Sequence, residues 1–144
     1  MMMLVASSSS LVAGEKRAGG YRDLEVFQRS LDALVGIHTF AATLPNIERY
    51  ELASQLRRAS KSIPANIAEG YAKRRSVKEF ISYLTTALGS ANEVEVHLEI
   101  AGRLTYGDSE TRTELLSEYG IIGRQLAALI RSWQPSRKPG TRDQ

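Results

Sequence analysis

Apolar residues recur at steps of three and four along four stretches of the chain, with polar residues between them. Leu52, Leu56, Ala59, Ile63, Ile67 and Tyr71 share one face of a helix with a period near 3.6. Val77, Phe80, Leu84, Ala87, Ala91, Val94, Leu98 and Ala101 make the longest such seam. An earlier stretch places Leu24, Phe27, Leu31, Leu34, His38 and Ala41 on a heptad-like seam, and the last places Leu115, Tyr119, Ile122, Leu126, Leu129 and Trp133 inward. No convincing period-two alternation competes. The pattern predicts an all-α protein, an antiparallel up-down-up-down four-helix bundle with short connections. Isolated helices of this length are marginal in water, so the shared seam has to supply most of the stability.

Local signals set the expected boundaries. Asp23 is a good N-cap for the first helix, because its carboxylate can accept from free first-turn amides. Leu44, Pro45 and Asn46 make the turn out, and the second helix is expected from Ile47 or Glu48. Pro64 falls inside its stripe, where it removes one backbone donor and crowds the preceding turn at a cost of about 3 kcal/mol. The helix either stops and restarts there or bends; the unbroken phase of the stripe favours one long helix kinked near Pro64. Asn66, at the edge of the apolar face, is expected to hydrogen-bond to a neighbouring helix, since an unpaired buried amide costs about 1–3 kcal/mol. Gly70 permits close backbone approach or prepares the coming turn. Ser76 and Glu79 have the spacing of a capping box for the third helix. Ala87, Gly89, Ser90 and Ala91 thin the middle of that helix, inviting a close neighbour. Residues 102–108 form the next turn, the fourth helix runs from Ser109 to Trp133, and Pro135 ends it.

Several apolar residues lie beside the seams: Val26, Ile81, Tyr83, Leu88, Val96, Ile100, Leu116 and Ile130. They widen the stripes, which points to self-association.

Length and composition narrow the class. A chain of 144 residues, 42% hydrophobic, suits one domain with one core. Residues 1–20, rich in Ser, Ala and Gly, read as a disordered leader, residues 21–134 as the bundle, and residues 135–144 as a disordered tail. The uncharged start and the interrupting Ser7–Ser10 run argue against a secretory signal, and no stretch reaches the roughly twenty apolar residues needed to span a bilayer. Cysteine is absent, which excludes disulfides and thiolate chemistry and is compatible with the reducing cytoplasm, the expected location.

The formal charge of +3 is modest, but its distribution is not. Residues 57–78 hold seven cations (Arg57, Arg58, Lys61, Lys73, Arg74, Arg75, Lys78) against Glu69; residues 79–118 hold eight acids against Arg103 and Arg112. Two readings follow. In one, Arg57, Arg58 and Lys61 pair with Glu93, Glu95 or Glu99 across helices two and three or across a subunit boundary, specifying register more than adding stability. In the other, the turn cluster Lys73, Arg74, Arg75 and Lys78 contacts phosphates, helped by the free amides of the third helix's N-terminus, with Arg57, Arg58 and Lys61 in support.

Catalytic constellations are poor. His38 reads as a packed histidine. Glu93 and His97 stand four apart and could offer two metal ligands, but the paired Glu-x-x-His motifs of a di-iron bundle are missing. The glycines lack the spacing of a phosphate-binding loop. No enzymatic activity, metal or cofactor is expected.

The run from Gln55 to Ala101, with its LRRA, SIPANIAEG, RS-x-x-EF and GS-x-x-E-x-E elements, closely resembles the four-helix-bundle family of bacterial 23S rRNA intervening-sequence proteins. YRDLEVFQRSLDAL, residues 21–34, resembles that family's opening. The resemblance implies a compact antiparallel bundle that assembles as a homo-oligomer, a pentameric ring. A related bundle, the accessory protein of diversity-generating retroelements, binds a reverse transcriptase and nucleic acid. By that analogy a ring would multiply each protomer's basic cluster into an avid, salt-sensitive surface for RNA or DNA. The competing reading is a protein-interaction scaffold whose charges, Glu93 and Glu95 among them, serve subunit or partner contacts without nucleic acid.

Overall fold

The computed structural model describes residues 19–135. A 3₁₀ turn, Tyr21–Asp23, leads into α1 (Glu25–Ala41); a second, Asn46–Glu48, precedes α2 (Leu52–Ala72); α3 (Val77–Arg103) and α4 (Ser109–Trp133) follow. The fold is all-α, with no strand among the described residues. The leader, apart from Gly19 and Gly20, and the tail beyond Pro135 lie outside them. Among them, no helix is long and apolar enough to cross a membrane.

Each helix packs on the next, and α4 returns to α1, closing a ring of four. Side-chain partners show how the neighbours run. Ser62 meets Ser90 and Gly70 faces Tyr83 between α2 and α3; Gly102 faces Arg112 and Gly123 faces Leu88 between α3 and α4; Arg29 meets Glu118 and Gly36 faces Leu115 between α4 and α1. In each pair the position rises on one helix as it falls on the other. The α2–α3 turn therefore sits at the same end as the start of α1 and the finish of α4.

Leu56, Ile63, Ile67, Phe80, Leu84, Val94, Leu98, Ile122 and Leu126 are fully buried, so the predicted seams of α2, α3 and α4 form the core. Four positions differ: Val77 is 37% exposed at the first turn of α3, and Tyr71, Leu129 and Trp133 pack only on the rim. Pro64 is buried within an unbroken helix.

The α1 expectation was out of phase. The helix buries Val26, Phe27, Ser30, Ala33, Ile37, Phe40 and Ala41, leaving Leu31 38% exposed and His38 only half-buried. Apolar residues occupy two adjacent stripes of α1, and the phase that seats both Phe27 and Phe40 buries more area. His38 instead places Nδ1 3.0 Å from the Leu34 carbonyl.

Two starts also move. Asp23 ends the first 3₁₀ turn and gives no side-chain cap, so α1 begins at Glu25 after Leu24. The α2 start shifts to Leu52, because residues 46–48 close their own turn and leave Ile47 76% exposed. The Glu48 carboxylate then serves both elements, accepting from the Leu52 amide at 3.2 Å and the Tyr106 hydroxyl at 3.1 Å. At the same end Gly107 adopts a left-handed φ of 74°, and a Cβ there would stand 2.5 Å from the Phe40 ring.

Helices α2 and α3 approach closely at Gly70 and again in mid-α3, where the short side chains of Ser62 and Ser90 meet at 2.9 Å. A Cβ at Gly70 would lie 2.6 Å from Cβ of Tyr83, whereas a Cβ at Gly89 would meet nothing within 4 Å. The Tyr83 Cβ is tied to backbone and cannot swing aside. Gly70→Ala should therefore cost more by overpacking, about 1–3 kcal/mol, than the roughly 1 kcal/mol alanine gains in helix propensity. A melting temperature lower than wild type by several degrees is expected; an equal or higher one would contradict the contact.

Candidate nucleic-acid interface

The α2–α3 turn is held by backbone bonds. The Lys73, Arg74 and Ser76 amides donate to Gly70, Tyr71 and Lys73 carbonyls at 2.9, 3.2 and 3.0 Å. Ser76 Oγ accepts from the Glu79 amide at 3.2 Å, starting α3 as predicted. The reciprocal half of the capping box is missing, because the Ser76 amide is already taken by Lys73. This four-residue link leaves Lys73, Arg74, Arg75 and Lys78 exposed.

Two of these cations are anchored. Lys73 Nζ donates to Tyr83 Oη at 3.2 Å, lies 5.2 Å from that ring's centroid and pairs with Glu69 at 3.6 Å. The Tyr83 hydrogen bond, with smaller help from Glu69, pushes its pKa upward, so the ammonium stays charged. Arg74 stacks 4.1 Å over Tyr71 and donates to the Tyr71 carbonyl at 2.9 Å. Among the described residues, Arg75 and Lys78 form no ion pair.

Aromatic residues concentrate at the same end. Tyr71, Phe80 and Trp133 form an edge-to-face chain with centroids 5.9 and 4.8 Å apart, bringing the close of α4 beside the opening of α3. The turn before α1, which packs on α2, adds Tyr21 with Arg22 at 4.7 Å over its ring. Carboxylates are present too: Glu69 pairs with Lys73, Glu79 is exposed and close enough to act on Lys73, Glu25 lies 3.6 Å from Arg29, and Asp23 buries one oxygen without a hydrogen-bond partner.

The other sequence-flagged cations are elsewhere. Sixteen residues of helix separate Arg57 from Lys73, about 24 Å along the axis, so Arg57, Arg58 and Lys61 do not join this cluster. Nor do they pair with Glu93, Glu95 or Glu99 within the chain: Arg57 donates to the Arg49 carbonyl at 3.2 Å, and no ion pair forms at the three among the described residues. Arg58 and Lys61 are exposed and Arg57 half-buried. Glu93 sits 3.2 Å from His97 on its own helix. Among the described residues no three His, Asp or Glu side chains gather as a metal site. Asn66 also departs from expectation. It donates to the carbonyl and hydroxyl of Ser62 at 2.8 and 3.0 Å, and Ser62, not Asn66, reaches Ser90 of α3 at 2.9 Å.

Sequence reasoning missed Tyr21, Arg22, Tyr83 and Trp133 as members of this end. The Tyr71–Arg74 pair was detectable, since residues three apart on a helix are neighbours. Lys73–Tyr83 was not, because it needs the α2–α3 register.

An all-α bundle of four helices, with a cation-rich, aromatic-lined end, is the class that fold and surface define. The chain belongs to a family within it, the 23S rRNA-intervening sequence proteins, whose family model matches residues 22–128. A solved structure similar to it is a protein of the S23 ribosomal protein family from Bacteroides thetaiotaomicron, described as having unknown function. The two share 31% identity and a TM-score of 0.67, over 74% of this chain and 95% of that one. None of the curated proteins matches the chain.

Glu95 is half-buried, and burial first, then neighbouring Glu99, raises its pKa against the opposing pull of Arg124. A raised carboxyl binds its proton more tightly folded than unfolded, so stability falls as pH rises above the ordinary glutamate range. Glu95→Gln should thus melt higher than wild type at pH 7, with the gap closing as pH falls toward 4.5. A variant less stable at pH 7 would show instead that attraction to Arg124 outweighs burial.

Proposed function

We propose that this chain is a noncatalytic, self-associating bundle that binds RNA or DNA phosphates in the cytoplasm through Arg75, Lys78, Arg74 and Lys73. The observation that carries the reading is the exposure of Arg75 and Lys78 without a carboxylate partner among the described residues, next to two cations held in place by tyrosines. Cations already spent on intramolecular pairs would have to be released before meeting phosphate; these two would not. Arg57, Arg58 and Lys61, set apart along α2, are assigned to contacts with another subunit or a partner protein, such as the reverse transcriptase of the analogous bundle.

Self-association is supported by a different surface. Val96 and Ile100 on α3 and Leu104 at its C-cap recur at steps of four and are 51%, 39% and 47% exposed; Leu31 and Val35 are exposed on α1, at the opposite corner of the ring. Two unlike apolar stripes on opposite sides suit head-to-tail contacts, which close into a ring when the rotation allows. A pentamer, as the family resemblance implies, is one such ring. This surface also favours the second reading, a scaffold for protein partners with no nucleic-acid role.

Two measurements separate these readings. Affinity for RNA should fall linearly on a log–log salt plot, and Arg75→Ala with Lys78→Ala should flatten the slope by roughly 1.4, about 0.7 for each lost phosphate contact on a single strand. No binding at low salt, or an unchanged slope, would remove the phosphate assignment. By light scattering, Val96→Asp with Ile100→Asp should reduce the assembly to monomers with helical content intact. A wild-type chain that is already monomeric would remove self-association.

A further inference from the structure

We infer that the nucleic acid this end takes is an unpaired strand, read by stacking, not a duplex; the inference rests on the phosphate-binding reading above. Reading a duplex by its grooves needs an element that projects into them. Here α2 finishes and α3 starts at the surface, and the link between them is four residues tied down by three backbone hydrogen bonds. A duplex could meet this end through phosphates alone.

Phosphate contact by itself requires only charge, yet three cations here are laid on aromatic rings: Arg74 on Tyr71 at 4.1 Å, Arg22 on Tyr21 at 4.7 Å and Lys73 on Tyr83 at 5.2 Å. Arg74 is the most developed. Its guanidinium lies over the Tyr71 ring and is pinned by the 2.9 Å bond to the Tyr71 carbonyl, while the residue as a whole is exposed. Tyrosine thus lies against one side of the guanidinium, 4.1 Å from its carbon, and the residue is otherwise exposed. Splayed-out bases stack on guanidinium planes and aromatic rings in this way, whatever their identity. A base laid on Arg74 extends a stack already begun by Tyr71, and its flanking phosphates fall within reach of the untethered Arg75 and Lys78.

The test uses the full chain and labelled 20-nucleotide probes at one low salt concentration: an unstructured RNA, the DNA of the same sequence, and the corresponding RNA duplex. Each single strand should bind at least about tenfold tighter than the duplex, the equivalent of one stacked base; comparing the two shows which sugar is preferred. Arg74→Lys keeps the charge and removes the plane. It should lose several-fold in single-strand affinity with the salt slope and the thermal melt unchanged, and leave duplex affinity as it was. Duplex binding as tight as single-strand binding, or an Arg74→Lys protein that binds single strands like wild type, overturns the unpaired-strand inference while the phosphate-binding reading stands. Failure to bind any of the three probes overturns both.

Discussion

The contact of α2 with α3 at Gly70 is the constraint on which the described surface depends. With no Cβ at that position, the backbone of α2 comes against the base of Tyr83, and the two helices stay together to their ends. The chain can then reverse direction in the four residues between α2 and α3. A wider separation would demand a longer link, and the cations would hang from a loop instead of lying against rings. The same approach carries Tyr83 to Lys73 and sets Phe80 between Tyr71 and Trp133. Packing, here, decides the electrostatics.

Charge is sorted along the molecule by the same geometry. Residues 57–78 read as one basic segment in the sequence, but a helix spreads them over more than 20 Å, and only the last four share a surface with the aromatic residues. Arg57, Arg58 and Lys61 are left on the flank of α2 without ion pairs among the described residues. The described cross-helix ion pair joins Arg29 of α1 to Glu118 of α4 at 2.9 Å, a combination that segment-wise counting does not suggest. This pair is half-buried, where desolvation offsets much of the attraction, so the bundle's cohesion lies in its apolar seams.

The seams of α2 and α3 were legible in the sequence because each offers a single apolar stripe bordered by polar residues, and size and spacing agree. In α1 they do not. Leu31 and Leu34 compete with Ile37 and Phe40 for the inward phase, and periodicity cannot arbitrate between adjacent stripes without the neighbouring helices. Helix starts were legible where a side chain does the capping, as at Ser76 and Asp108, whose oxygens accept the Glu79 and Thr111 amides. They were not where a 3₁₀ turn intervenes, as at Asp23 and Ile47, or where the cap comes from a turn residue four positions back, as Glu48 does for Leu52. At the candidate interface, the cations were visible as residue types; their anchoring depended on register, which a hydrophobic pattern leaves open. Asn66 shows the same limit, since its partner is one helical turn away on its own helix and the link across to α3 is made by Ser62.

The central claim is positional: one end of the bundle, and not the flank of α2, meets nucleic acid. Backbone amide chemical-shift mapping of the isotopically labelled protein, titrated with a short unstructured RNA, addresses it most directly. The account predicts perturbations concentrated at residues 73–78 and at Tyr21 and Arg22, with residues 57–61 undisturbed. Perturbations centred on Arg57, Arg58 and Lys61, with residues 73–78 silent, would contradict it.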